Sequence, residues 1–254
     1  MVYRLSAACG CSVGRIRNNN EDNFYFNGHI LGEQNNGLDR VLSMKCRTSK
    51  PACFAVFDGM GGEEYGEVAS HTAAAALDVR LKNPRDILSA PKEFLDSSCC
   101  AMSDAVYAAG MALAAGRIGT TVAMLLLSTD KAYVCNIGDS RAYLLRDDEL
   151  LQISEDHVES LPPGSRQKKP RLTQHLGVCK DELMLEPHIA AYDIQPQDTF
   201  LLCSDGLTDM LANEEIRACI TQHLRTKGMV SHLIDLANQH GGRDNITALI
   251  IKIL

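Results

Sequence analysis

The chain has 254 residues, and with 45% hydrophobic residues it can bury one sizeable core, so we expect a single domain over residues 1–254. Its formal net charge is −7 at pH 7, and because it has no long basic tract we expect no nucleic-acid binding. No apolar stretch is long enough to cross a bilayer and residues 1–8 lack the apolar core of a signal peptide, so we expect a cytoplasmic protein without membrane contact.

Apolar patterns along the chain predict alternating strands and helices. Short runs rich in apolar and β-branched residues predict strands, and apolar residues at spacings of three and four predict amphipathic helices. Three of the strands are apolar at nearly every position, which indicates sheets that are covered on both faces. In chain order the predicted elements are a strand at 53–57, helices at 69–81 and 95–113, strands at 122–127, 131–137 and 199–203, helices at 216–224 and 230–237, and a strand at 246–253.

Four aspartates lie where a predicted strand meets a glycine or a turn. Asp58, Asp139 and Asp205 lie at strand exits, whereas Asp244 lies at the entrance of the last strand. If neighbouring strands run antiparallel, these positions lie at the same end of the sheets and the carboxylates can converge. Any one of them alone is better explained as a turn residue. The matched contexts of all four favour a common site.

Converging carboxylates would repel one another, and some would have to take up protons unless a cation neutralised them. Carboxylate and carbonyl oxygens, without histidine or thiolate partners nearby, favour Mg²⁺ or Mn²⁺ over Zn²⁺. Gly59 and Gly206 fit this interpretation because glycine lets a backbone carbonyl approach an ion closely. The four segments together therefore predict one oxygen-only metal site.

Six segments of the chain, in order, resemble the type 2C metal-dependent protein serine/threonine phosphatases of the bacterial kind. They are residues 17–24, 58–70, 119–121, 136–143, 203–209 and 243–247. The resemblance implies an α+β fold, a four-layer αββα sandwich of two mainly antiparallel sheets flanked by helices. It also implies that phosphoserine and phosphothreonine in proteins are hydrolysed by direct attack of a metal-bridging water. The substrates would be phosphoproteins of a cognate serine/threonine kinase.

The resemblance implies a set of metal ligands. Asp58 would bridge two tightly held Mn²⁺ or Mg²⁺ ions, the Gly59 carbonyl would bind one of them, and Asp205 and Asp244 would hold the other. Asp139, together with Asp205, would hold a third and weaker ion. A tight turn with an aspartate–arginine contact stays open as an alternative for Asp139.

Further residues around the ions also receive roles from the resemblance. Glu21 and Asp22 would orient metal-bound waters, with Asn245 as a neighbour behind the ligands or simply as the turn residue that opens the last strand. Arg17, four residues before Glu21, would bind the substrate phosphate through two guanidinium N–H groups. On spacing alone, a surface arginine or a pair with Glu21 would explain Arg17 better.

Two features depart from the wider family. Met60 stands where many eukaryotic members have histidine as a candidate general acid, so the identity of the proton donor is open. The segment at 154–187, a longer mobile flap in bacterial relatives, is shortened here. It carries basic residues that could attract phosphoprotein substrates or could simply be solvated, namely Arg166, Lys168, Lys169 and Arg171.

Two other functions compete with this one. The spacing from Cys11 to Arg17 fits that of cysteine-dependent phosphatases, but the segment leads into a strand, and Cys135 to Arg141 fits the same spacing by chance. A catalytically inactive relative would bind phosphoproteins without hydrolysing them, and it would be expected to lack some of the metal aspartates, all of which are present here. The ten cysteines are expected to be free thiols, most of them in the core.

Overall fold

The computed structural model describes residues 2–60, 65–83, 87, 89–113, 117–161, 169–222 and 225–254. Its strands are β1 (Arg4–Ser12), β2 (Asp22–Phe26), β3 (Leu42–Arg47), β4 (Ala52–Met60), β5 (Gly119–Thr120), β6 (Val122–Ser128), β7 (Lys131–Ile137), β8 (Arg141–Arg146), β9 (Glu149–Gln152), β10 (His188–Asp193), β11 (Thr199–Cys203) and β12 (Ile246–Ile253). Its helices are α1 (Gly66–Leu81), α2 (Pro91–Ala112), α3 (Asp205–Thr208), α4 (Asn213–Gln222) and α5 (Thr226–Gln239).

The strands form two antiparallel sheets. The order in the first sheet is β3-β1-β12-β11-β8-β9, and the order in the second is β10-β7-β6-β4-β2, with β5 paired to the end of β4. The first and last strands of the chain are neighbours, and their register places Ser12 opposite Ile246. The end of β1 and the start of β12 therefore lie side by side at one end of the first sheet.

Three apolar clusters hold the layers together. Side chains such as Phe54, Leu125 and Phe200 fill the space between the two sheets. α1 and α2 pack on the outer face of the second sheet through residues such as Leu77 and Met102. α4 and α5 cover the outer face of the first sheet. Each sheet is thus buried on both faces, which explains its nearly continuous apolar strands and gives the expected αββα sandwich.

The predicted helices are present, with ends shifted by a few residues. α1 and α2 begin earlier than their apolar patterns, at Gly66 and Pro91, because their first turns carry polar residues outside those patterns. α5 ends shortly before Gly241 and Gly242, whose φ angles of 130° and 48° stop the helix. The predicted helical position Leu224 lies outside the described residues. In the part of the chain that the structure describes, no helix has the length and apolar character needed to span a bilayer.

The strand predicted at 53–57 is longer in the structure and runs from Ala52 to Met60. Its extra residues are ordered by pairing with β5, in which Gly59 lies opposite Thr120 and Met60 lies opposite Gly119. Asp58 therefore lies inside a strand and not at its exit. Pairing of β4 with β2 at Asp58 and with β5 at Gly59 fixes the backbone here, and the pleat of the strand then sets the direction of the Asp58 side chain.

Candidate metal centre

Five aspartates come together at one end of the two sheets. Asp22 opens β2 and lies directly opposite Asp58 of β4. Asp139 follows β7, Asp205 begins α3 just beyond β11, and Asp244 precedes β12. Three of these residues come from the second sheet and two from the first. The cluster therefore lies where the ends of the two sheets meet.

The carboxylates are close enough to change one another's pKa. Burial and the negative charges of Asp205, Asp22, Asp139 and Asp244 raise the pKa of Asp58 well above its usual range. Burial raises the pKa of Asp22 to about 7, although two hydrogen bonds oppose that shift. Burial and the charge of Asp205 raise the pKa of Asp139 to about 6. At neutral pH the cluster thus concentrates negative charge that a cation would stabilise.

The donors in this cluster fit Mg²⁺ or Mn²⁺. Carboxylate oxygens and the Gly59 carbonyl are the oxygen donors that such hard cations prefer. Within the described ranges, no three histidine, cysteine, aspartate or glutamate side chains already form a closed ligand set around one point. The fit to Mg²⁺ or Mn²⁺ therefore rests on the chemistry of these oxygen donors.

Two hydroxyl groups hold Asp22 in place. Ser204 Oγ and Thr247 Oγ1 each donate a hydrogen bond of 2.7 Å to Asp22 Oδ2, and the Thr247 backbone N–H donates to Ser204 Oγ at 3.0 Å. These three side chains are buried. The bonds join β2 of the second sheet to β12 of the first and to Ser204, the residue that follows β11. Both hydroxyl residues belong to matched segments, but no sequence pattern assigned them a role.

Asn245 connects the start of β12 to the loop before β2. Its Oδ1 accepts a hydrogen bond of 2.8 Å from the Glu21 backbone N–H. Its Nδ2 donates to the backbone carbonyls of Val13 and Asn19, at 2.9 Å each. A single buried amide thus fixes the loop that carries Arg17 and Glu21 beside the aspartates.

Two glycines allow the backbone segments of the cluster to meet. A Cβ atom on Gly59 would lie 2.0 Å from the carbonyl oxygen of Gly66 and 2.6 Å from that of Glu21. A Cβ atom on Gly206 would lie 1.9 Å from the carbonyl oxygen of Asn245. Both clashes are with backbone, which cannot rotate away as a side chain would. The sequence predicted these glycines for the approach of a carbonyl to an ion, and the structure adds this second reason, the contact between backbone segments.

Arg17 lies at the rim of the cluster. Its Nη2 donates a hydrogen bond of 2.8 Å to Asp244 Oδ2, and its Nη1 lies 3.8 Å from Glu21 Oε2. The side chain is 48% exposed. The contact with Asp244 is therefore shorter than the contact with Glu21. The guanidinium is directed toward the aspartates, and part of it faces solvent. Burial is the main cause that raises the pKa of Glu21, and the Arg17 charge opposes this shift.

The neighbouring arginine does not pair with Asp139. Two nitrogens of Arg141 donate hydrogen bonds to Asp156 Oδ2, Nε at 2.9 Å and Nη2 at 2.6 Å. It also donates to the Tyr143 hydroxyl at 3.2 Å. His157 Nδ1 accepts a hydrogen bond of 3.2 Å from the Gly138 backbone N–H. The alternative of a tight turn with an Asp139–arginine contact is therefore not supported, because Arg141 pairs with Asp156.

One lysine of the 154–187 segment reaches the cluster. Lys169 Nζ forms an ion pair with Asp205 Oδ2, and it lies 3.5 Å from Asp209 Oδ2. This contact was missed in the sequence, where Lys169 is merely one member of a basic set. Of that set, Arg166 and Lys168 lie outside the described residues. Lys169 and Arg171 are the described members of the set, and of these two Lys169 pairs with an aspartate of the cluster.

The cysteine pattern does not form a nucleophilic site. All ten cysteines are free thiols, as expected, and seven of them are buried. Cys11 lies within β1, where burial and then the Asp22 charge raise its pKa to about 12. Cys135 is buried within β7. Because the thiolate is the reactive form, a protonated Cys11 inside a strand is unsuited to attack a phosphate.

The sequence is similar to phosphatases over nearly its whole length. The family model for Protein phosphatase 2C matches residues 32–247. The serine/threonine phosphatase Stp of Listeria innocua is 31% identical over 250 residues, which cover 94% of this chain and 92% of that protein. The protein phosphatase PhpP of Streptococcus pneumoniae is 29% identical over 253 residues, which cover 95% of this chain and 94% of that protein.

Solved phosphatase structures share the fold. The crystal structure of the Mycobacterium tuberculosis serine/threonine phosphatase PstP/Ppp has a TM-score of 0.79 at 28% identity, and 98% of each chain is covered. The catalytic domain of PstP in complex with two manganese ions has a TM-score of 0.78 at 28% identity, and 100% of each chain is covered. The likeness therefore extends over both sheets and over the end that carries the aspartates.

The replacement Gly59→Ala tests the close backbone contact. We expect it to lower the free energy of unfolding by about 2 kcal/mol, since the new Cβ overlaps two backbone carbonyls. It should also weaken Mn²⁺ binding by about tenfold or more, because the strand must shift beside Asp58. Chemical unfolding and calorimetric Mn²⁺ titration measure the two effects.

Gly32→Ala is the matched control, because its Cβ would have only the Gln34 carbonyl oxygen within 4 Å, at 3.7 Å. Equal stability and equal Mn²⁺ affinity in the two variants would contradict the assigned role of Gly59.

Proposed function

The chain belongs to the protein phosphatase 2C family, and we propose that Asp58, Asp205 and Asp244 are the carboxylates with which it holds two catalytic metal ions. It is a metal-dependent protein serine/threonine phosphatase. The observation that carries the site assignment is the convergence of these carboxylates from both sheets, where burial and the neighbouring negative charges raise the pKa of Asp58. The Gly59 carbonyl, next to Asp58 in β4, is proposed as a further ligand.

Bound Mn²⁺ or Mg²⁺ would supply a water of lowered pKa and would neutralise charge on the phosphoryl oxygens. The protein's own groups perform the remaining tasks. Glu21 and Asp22 are proposed to orient the water molecules at the metal ions by accepting hydrogen bonds from them. Asp22 is suited to this task because Ser204 and Thr247 hold its carboxylate rigidly.

Arg17 is proposed to bind the phosphoryl group of the substrate. Its planar guanidinium can donate two parallel hydrogen bonds to phosphoryl oxygens, and it already reaches Asp244 at the rim of the cluster. Beside that rim is a cleft of about 290 Å³ lined by Lys169, Pro170, Gly206, Asp209, Met210, Arg243 and Asp244. The cleft offers a place for the polypeptide on either side of the phosphorylated residue. Met60 has no proton to donate, so the leaving alkoxide would take its proton from water.

A third and weaker ion is proposed between Asp139 and Asp205. Two observations support it: burial and then the charge of Asp205 raise the pKa of Asp139, and Arg141 binds Asp156 instead. Asp205 would then contribute to both the tight pair and the weaker ion.

Phosphorylated proteins are the substrates of this enzyme, and we propose that they include the targets of a cognate serine/threonine kinase. We also propose one phosphatase domain over residues 1–254, since all three apolar clusters share the same two sheets. A cytoplasmic location is proposed because a chain with ten unpaired cysteines suits a reducing compartment.

Metal removal tests the activity itself. We expect hydrolysis of an aryl phosphate and of a phosphothreonine peptide to require Mn²⁺ or Mg²⁺ and to fall by about 100-fold or more with a chelator, because the metal ions activate the water. The double variant Cys11→Ser, Cys135→Ser should retain most of the activity. Phosphate release followed with time measures both effects.

Turnover that resists the chelator and is lost in the double variant would instead support cysteine chemistry. Phosphopeptide binding with no release of phosphate under any metal condition would support an inactive relative.

The replacements Asp58→Asn and Asp244→Asn test the proposed ligands. Each removes a negative charge that holds the metal ions, so we expect kcat to fall by about 100-fold or more. Folding should be retained, as circular dichroism would show. Asp235→Asn, at an exposed position on α5, is the matched control and should leave kcat unchanged. Near-normal turnover of either ligand variant at saturating Mn²⁺ would remove that residue from the site.

The replacements Arg17→Ala and Arg15→Ala separate phosphate binding from general surface charge. Arg17→Ala should raise KM for a phosphopeptide by about tenfold or more at saturating Mn²⁺, since it removes two charged hydrogen-bond donors. Arg15→Ala should have little effect, because the one hydrogen bond seen for Arg15 comes from its backbone N–H to Gly242 and survives the change. Steady-state kinetics measures both, and equal rises in KM would contradict the role of Arg17.

A further inference from the structure

Lys169 places a positive charge directly on one of the proposed metal ligands. Its Nζ pairs with Asp205 Oδ2 and lies 3.5 Å from Asp209 Oδ2. The Lys169 side chain is 50% exposed, whereas that of Asp205 is 12% exposed. The aliphatic stem of the lysine thus runs partly through solvent, and the ammonium enters the edge of the carboxylate cluster.

The backbone next to Lys169 is held in position. The Glu159 backbone N–H donates a hydrogen bond of 2.9 Å to the Arg171 carbonyl, and Val158 and Leu172 form an isolated bridge. These contacts begin two residues after Lys169 and tie its segment to the chain that follows β9. The ammonium is therefore delivered to Asp205 from an anchored backbone.

The same ammonium also acts on Asp139. Lys169 and Asp139 interact electrostatically, and so do Asp139 and Asp205. The lysine charge thus lies near both carboxylates that were proposed above to hold the third ion. An oxygen lone pair that accepts a hydrogen bond from an ammonium cannot at the same time bind a metal ion.

We propose that the Lys169 ammonium competes with the third divalent ion for Asp205 and Asp139, so that this site fills only after the lysine withdraws. The proposal rests on the third-ion site of the proposed function and explains why that ion is the weaker one. Withdrawal is feasible because the side chain is half exposed and has a flexible four-carbon stem. The lysine end of the pair already faces solvent, so water can solvate the ammonium when a divalent ion displaces it.

Counting bound ions tests the competition. Mn²⁺ is titrated into the wild type and into Lys169→Met, which keeps the length of the side chain but removes its charge, with calorimetry and electron paramagnetic resonance as readouts. Two tight ions should bind equally to both proteins. The third should bind at least about fivefold more tightly to Lys169→Met, because the ion pair that competes for its ligands is lost.

Two control variants separate this role from a general effect of charge. Lys169→Arg keeps a cation at the position and should hold the third-ion affinity at the wild-type level. Arg171→Met removes an exposed cation two residues further along the same segment and should also leave that affinity unchanged. A rise with Arg171→Met equal to that with Lys169→Met would overturn a specific role for Lys169.

The outcomes also separate this proposal from the site assignment. Equal third-ion affinity in the wild type and in Lys169→Met, or no third ion in either, overturns the competition while the two tight ions still support the proposed function. Adding Asp139→Asn to Lys169→Met should remove the third ion. If that ion still responds to Lys169 but survives Asp139→Asn, the competition stands and the assignment of Asp139 is overturned.

Discussion

The structure depends on how negative charge is accommodated where its two sheets end. The register of β2 and β4 puts Asp22 directly across from Asp58, an arrangement in which like charges destabilise a strand pair. Asp205 and Asp244 add further carboxylates from the other sheet. A divalent cation held by the proposed ligands would convert this repulsion into a link between the sheets. The carboxylates proposed to bind the metal ions would then also join the two sheets, and loss of the ions would weaken both the activity and the fold.

Neutral groups position these carboxylates. The side-chain amide of Asn245 forms hydrogen bonds with three backbone groups, and the hydroxyls of Ser204 and Thr247 both donate to one oxygen of Asp22. Gly59 and Gly206 contribute the absence of a side chain, which lets two backbone segments meet at each position. Because none of these residues is charged, they fix the geometry without adding to the repulsion. Rigid neutral support of this kind is what a preorganised catalytic site needs.

Local patterns predicted much of the fold and the position of the aspartates, because apolar runs and their ends are properties of adjacent residues. The end of β4 was misplaced because its last residues are ordered by β5, a partner about sixty residues away in the chain. The pairing of Lys169 with Asp205 was missed for a similar reason, since only the folded chain brings that segment to the cluster. The strands β3 and β9 carry alternating or exposed polar residues and left no strong apolar run.

Diffraction at the manganese absorption edge, from crystals grown with Mn²⁺, tests the central claim most directly. We predict two strong anomalous peaks within coordination distance of the Asp58 carboxylate, one of them also near the Gly59 carbonyl and the other near Asp205 and Asp244. The second of these ions would then have ligands from both sheets. Anomalous peaks elsewhere on the molecule, with none within reach of these carboxylates, would contradict the account.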